Sequence, residues 1–165
     1  MGQTTSFDLV IERLLHKIEK DRDFFEHYNL SVSQVQELVT EQATGYLYDA
    51  IDLLTSRCEP EVDFYDYDIE VRRFNFELTQ REVGLLASIM YEVYFERDEA
   101  LLKAFKIRMT PSDLNQFSPA TERKTFEDML SRIKQENINK ISKYISTDRK
   151  TGQRKTIDHS QYDYS

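Results

Sequence analysis

The sequence predicts an all-α fold: a helical bundle of about four main helices, crossed by an extended acidic-aromatic connector and followed by an extended C-terminal arm. Three observations predict it. Gly occurs four times and Pro three times in 165 residues, and these are the residues that punctuate short strands and turns. Apolar residues recur at helical period in four separate stretches. Two of those stretches open on a capping box, Ser31–Gln34 and Thr79–Glu82. The length suffices for one domain with a real core. The expected division is a helical bundle over 1–146 and an arm over 147–165.

The first helix is expected from Ser6 to Asp23, with Phe7, Val10, Ile11, Leu14, Leu15 and Ile18 on one stripe. Ser6 is its N-cap and Asp8 complements the dipole in its first turn. Residues 24–30 form a connector. The second helix starts at the Ser31 box and carries Val35, Leu38, Val39, Ala43, Tyr46, Leu47, Ala50, Ile51 and Leu54. Gly45 inside it costs roughly 1 kcal/mol relative to Ala, so a close helix crossing is expected there.

Pro60 ends the helical pattern. The stretch VDFYDYDIEVRRFNFEL, residues 62–78, alternates poorly, and its acids disfavour strand. It reads as an extended connector with its rings packed down and its acids out. The third helix opens at Thr79. Val83, Leu86, Ile89, Met90, Val93, Tyr94 and then Leu101 and Leu102 form its main stripe, and Leu85, Ala87, Tyr91 and Phe95 fill other faces. A helix apolar on most sides is a central one. Residues 106–117 break the pattern with a Thr-Pro-Ser-Asp turn signal, and Ser118-Pro119 supplies the next cap. The fourth helix has a narrower stripe, Phe126, Met129, Leu130, Ile133, Asn137 or Ile138, Ile141, Tyr144 and Ile145, with charged flanks, so it should pack on one side only. From Thr147 the periodicity stops. Composition leaves that segment open between a disordered tail and an arm that buries Ile157, Tyr162 and Tyr164 on a partner.

Charge is unevenly spread. The chain carries −8. Residues 123–155 hold ten Lys/Arg against four acids, which is +6, so the remainder carries −14. An acidic body with a basic arm argues against a nucleic-acid binder built on a broad basic face. It suits self-association in which the cations Arg149, Lys150, Arg154 and Lys155 of one copy meet the acidic body of the next. Within the connector, Phe64, Tyr65, Asp66 and Tyr67 are the candidates for a second contact surface.

Catalytic and metal chemistry finds little support. His16, His27 and His159 are not spaced for joint ligation, and Cys58 alone builds no zinc site. Asp63, Asp66 and Asp68 follow D-x-x-D-x-D, which lacks the glycine and spacing of a calcium loop. There is no Gly-rich phosphate loop and no G-x-S-x-G. The expectation is a protein that is not an enzyme, with no cofactor and no metal. No apolar run approaches the ~20 residues of a membrane span, and no membrane partner is expected. The hexapeptide MGQTTS matches a loose acylation pattern too short to carry a membrane assignment.

One further observation bears on function. The helix start FNFELTQREVGLLASIMYEVYFERD, its lead-in VDFYDYD, the turn RMTPSDLNQFSPATERKTFEDML and the tail TGQRKTID together cover about residues 60–160. In these elements the chain resembles virion proteins of the tailed-phage neck, the head–tail connector or adaptor family. The resemblance implies a compact helical bundle with an extended terminal arm. It further implies copies closed into a ring, commonly dodecameric, docked on the portal protein and facing the next neck or tail protein, with DNA passing through. Such a protein is made in the host cytoplasm and resides in the virion. The family has no catalytic residues to carry over. The alternatives are an acidic helical inhibitor that mimics DNA and binds a host enzyme, and a small enzyme using Asp63, Asp66 and Asp68.

Overall fold

The computed structural model describes residues 3–20, 30–108 and 120–156, the side chains of 98, 101–108, 120 and 121 excepted. Over these residues the chain is a bundle of four main helices with a small antiparallel sheet. The order is β1 (Thr5–Ser6), α1 (Phe7–Ile18), α2 (Val32–Arg57), β2 (Tyr67–Asp68), β3 (Arg73–Phe74), α3 (Gln80–Arg108) and α4 (Ala120–Ile145).

The expected caps form. The Asp8 N–H donates to Ser6 Oγ at 3.2 Å. At α2 the Ser31 N–H donates to Gln34 Oε1 at 2.9 Å, and the Gln34 N–H donates to Ser31 Oγ at 3.4 Å. At α3 the Thr79 N–H donates to Glu82 Oε2 at 2.7 Å, and the Glu82 N–H donates to Thr79 Oγ1 at 3.3 Å. Each pair satisfies two amide donors that a helix start leaves without partners. Helix α1 is shorter than expected and ends at Ile18. The Thr110–Asp113 turn signal, the Ser118 cap and most of the 24–30 connector lie outside the described residues.

Helix α3 is central. It packs on α1, α2 and α4, and Val83, Leu85, Leu86, Ala87, Ile89, Met90 and Tyr94 are all buried. Helix α1 adds Phe7, Val10, Ile11, Leu14 and Ile18, and α2 adds Val39, Ala43, Leu47, Ala50, Ile51 and Leu54. Helix α4 lies against α3 and buries only Leu130, Asn137 and Ile141 among its described side chains, while Ile138 and Ile145 of the expected stripe are exposed, Asn137 taking the inward position instead of Ile138.

Two expectations are corrected. Residues 62–78 are not wholly without strand. Strands β2 and β3 pair antiparallel, with Tyr67 opposite Phe74 and Asp68 opposite Arg73, and β1 flanks β3 with Thr5 opposite Phe74. The deciding partner is β1, some seventy residues away in sequence, so local acid content does not govern the outcome. The turn between β2 and β3 places Arg72 at φ +56°, and its carbonyl accepts the Phe7 N–H at 3.0 Å. An uncommon left-handed residue thus closes the start of α1. The second correction concerns Gly45. A Cβ there would meet nothing within 4 Å, and the residue is exposed. No helix among the described residues crosses at that point.

A buried polar cluster ties three helices. Glu92 of α3 is fully buried and accepts from Arg57 of α2, Nη2 to Oε1 at 2.7 Å and Nη1 to Oε2 at 3.1 Å. Asn137 of α4, also fully buried, donates to Glu92 Oε2 at 2.7 Å and to the Ser88 carbonyl at 3.0 Å, and accepts from Ser88 Oγ at 2.8 Å. Burial alone pushes the Glu92 carboxyl up, but the hydrogen bonds from Arg57 and Asn137 outweigh it and hold the group below the usual range.

Two predictions follow from this packing. Gly45→Ala should stabilise the chain by about 0.5–1 kcal/mol, read from urea unfolding, because an exposed helix interior gains propensity with no clash. The stability contributed by the depressed Glu92 carboxyl is present above about pH 4.3, its unfolded value, and is lost as pH falls through the lower folded value. Glu92→Gln should therefore flatten the acid limb of a stability–pH curve.

Candidate functional site

The connector packs much as its pattern requires. Phe64 and Phe74 are fully buried and Tyr67 partly so, which leaves only Tyr65 and Asp66 exposed of the four residues expected to form a contact surface, because the Phe64 and Tyr67 rings are drawn into the aromatic cluster. The Phe74 ring meets Phe7 at 5.0 Å and Phe76 at 5.5 Å between centroids, and Tyr67 stacks on Tyr48 at 5.5 Å. Tyr65 is the exception, at 49% exposed. Its hydroxyl donates to Asp52 Oδ1 at 2.9 Å and lies 2.9 Å from Thr55 Oγ1 on α2.

The three connector aspartates are occupied locally. Asp63 Oδ1 accepts the Tyr65 N–H at 2.9 Å. Asp66 Oδ1 accepts from Asn75 Nδ2 at 2.8 Å. Asp68 Oδ1 accepts the Val71 N–H at 3.1 Å. Among the described residues no group of three or more His, Cys, Asp or Glu is placed to hold a metal ion. These acids shape turns. What the connector presents outward is its tip, where Ile69 is 65% and Val71 50% exposed, with Glu70 exposed between them.

The segment after α4 differs from the expected extended arm. Residues 147–156 turn back on the bundle. Thr147 and Arg154 form an isolated antiparallel bridge, and the Lys155 N–H donates to the Ser146 carbonyl at 2.9 Å. Asp148 organises the turn. Its Oδ1 accepts from the Thr151 N–H at 2.7 Å, Thr151 Oγ1 at 2.8 Å and the Lys150 N–H at 3.0 Å. These bonds, that of the Thr151 N–H first, hold its carboxyl below the usual carboxylate range. Gly152 takes φ +68°, a left-handed conformation that glycine adopts without strain, and a Cβ there would displace the Arg81 guanidinium.

Arg149 holds the turn down. Its Nε donates to Glu82 Oε1 at 2.7 Å and its Nη2 to Oε2 at 3.1 Å, a two-point contact with a fully buried carboxylate. The same Nη2 donates to the Glu77 carbonyl, and the guanidinium lies 5.8 Å from the Phe76 ring centroid. Tyr144 Oη donates to Glu82 Oε1 at 3.0 Å. The Tyr144 hydroxyl is pushed well up, by burial first and then by the Glu82 charge. Glu82 thus caps α3 through Thr79, receives Tyr144 of α4 and receives Arg149 of the terminal turn.

The other expected arm cations are placed differently. Lys155 Nζ pairs with Glu61 Oε1 at 2.6 Å, both half-exposed, while Lys150 and Arg154 are exposed. Ile157, Tyr162 and Tyr164 lie outside the described residues. The seating of Arg149 was missed by sequence reasoning. Its only local signal is the D-R-K-T-G turn, which announces a reversal but not its target.

Among the described residues no helix is long and apolar enough to cross a membrane. Comparison with family models, curated proteins and solved structures finds no match.

Arg149→Ala should cost about 2–4 kcal/mol in urea unfolding, because it strips the cation from a buried carboxylate. Arg149→Lys should recover only part, since an ammonium cannot make the two-point contact. Lys155→Ala should cost about 1 kcal/mol or less, its pair being largely solvated.

Proposed function

We propose that this chain is a structural protein of a phage neck: an adaptor whose copies close into a ring that joins the portal to the next neck or tail component, DNA passing through. It performs no catalysis in this role. The observation that carries the reading is a pair of unlike surfaces on one chain. The connector tip offers exposed Ile69 and Val71 beside Asp68 and Glu70. Helix α4 offers exposed Ile138 and Ile145, seven residues apart on one face, and the turn after it offers the exposed cations Lys150 and Arg154. A ring requires a heterologous contact, one patch meeting a different patch on the next copy. Opposite charge around two apolar centres is what makes such patches choose each other.

The resemblance over residues 60–160 supports the same reading. Occupied turn aspartates add to it, since they leave the connector no evident reaction to perform. An inhibitor that mimics DNA would want a continuous negative face, and the net charge of +6 over residues 123–155 argues against that reading.

Native mass spectrometry with an isolated portal ring tests the proposal. The wild-type chain should add as a closed ring of identical copies. Ile69→Asp with Val71→Asp should abolish ring closure while the unfolding midpoint stays within about 0.5 kcal/mol of wild type, as expected for exposed sites. A double variant that still closes, or a wild-type chain that never joins a portal, would overturn the reading.

A further inference from the structure

A chain of net charge −8 gathers five cations on one face. Arg81 and Gly84 of α3, Lys140, Lys143 and Tyr144 of α4, and Thr147 and Gly152 of the terminal turn line an open pocket of about 320 Å³. Its size is at the lower end of the range for ligand sites, roughly 300–1,000 Å³. Two residues of α1 complete the cationic rim. The Arg13 guanidinium carbon lies 3.8 Å from where a Cβ on Gly84 would sit, which brings that charge to the pocket edge. Lys17 is held below its usual range by burial first and then by the charges of Lys140 and Arg13. Glu136 is the acid that acts against this shift.

None of Arg13, Lys17, Arg81, Lys140 or Lys143 makes a salt bridge among the described residues. Lys140 donates instead to the neutral Ser88 Oγ at 2.6 Å, and Lys17 lies 5.6 Å from the Tyr91 ring centroid. Five like charges drawn together repel one another, and a bound anion relieves that repulsion. The lining tells which kind of anion. Leu85 and the Tyr144 ring make it mainly apolar between the cations, a lining that a bare phosphate would leave uncovered and an apolar or aromatic side chain would bury. The fitting ligand has an apolar or aromatic side chain flanked by carboxylates.

Residues 157–165, IDHSQYDYS, have that chemistry: Ile157, Tyr162 and Tyr164 with Asp158 and Asp163, and no Lys or Arg. The chain approaches them through Lys155, which is held on Glu61, a residue outside the pocket lining. We infer that the pocket between α3, α4 and the terminal turn receives residues 157–165 of a second copy of this chain, its carboxylates meeting Arg81 and Lys143. The inference rests on the self-assembly reading above, and supplies it with a specific copy-to-copy contact.

The test uses the full chain with p-benzoylphenylalanine in place of Tyr162. Isotopically labelled and unlabelled copies are mixed at assembly concentration, irradiated and mapped by mass spectrometry. Cross-links are expected between labelled and unlabelled copies, ending on the peptides that contain Arg81–Leu85 or Lys140–Thr147. They should be lost in Arg81→Glu with Lys143→Glu, a variant of exposed residues whose helical circular dichroism should be unchanged, and should weaken as salt is raised. Cross-links only within one copy, or cross-links ending elsewhere, would each overturn the inference. The adaptor reading is judged separately. Cross-links between copies that take no part in a portal-bound ring would keep the contact and sink the adaptor, whereas a portal-bound ring without these cross-links would do the reverse.

Discussion

Helix α3 carries two carboxylates into the interior, and the rest of the structure is arranged around the need to neutralise them. Glu82 and Glu92 are both fully buried. A buried carboxylate without a cation would cost several kcal/mol or give up its charge. The cations come from opposite directions in the chain: Arg57 from the end of α2, and Arg149 from the turn after α4. Each pairing fixes the element that supplies it. Asn137 and Tyr144 add neutral donors from α4, so the same two acids also set where α4 lies on α3. Apolar burial supplies most of the drive to collapse, but it is weakly directional. The two carboxylates provide the direction.

Much of this was legible in the sequence, for physical reasons that differ by element. The caps at Ser6, Ser31 and Thr79 are local: a side chain within three residues meets an orphan amide, and the pattern is visible in a short window. The stripes of α1 and α2 were legible because a 3.6-residue period is imposed by burial on one face. Gly45 was misread because propensity records a cost without a cause; the position faces open space. Strands β2 and β3 were missed because their ladder is completed by Thr5–Ser6, far away in sequence. Arg149 was counted as one charge in a basic run. Nothing in a run of Arg and Lys says which member will find a buried acid sixty-seven residues upstream.

That last point changes the meaning of the basic segment. Of its four expected contact cations, Arg149 is spent inside the domain and Lys155 pairs with Glu61. Lys150 and Arg154 remain exposed for another surface. The charge asymmetry of the chain therefore divides into an internal part, which seats the terminal turn, and an external part, which suits contact with a partner. A seated turn also gives whatever follows Thr156 a fixed point of departure. In an assembly, that lowers the conformational entropy lost when the following residues engage a neighbour.

The central claim is that Glu82 makes the terminal turn part of the domain, and amide hydrogen exchange tests it most directly. The Gly152 and Lys155 amides donate to the carbonyls of Asp148 and Ser146. In the wild-type chain they should exchange far more slowly than unstructured amides, and in Arg149→Ala that protection should vanish while the central turns of α3 stay protected. Gly152 and Lys155 amides exchanging at unprotected rates in the wild-type chain would contradict the account.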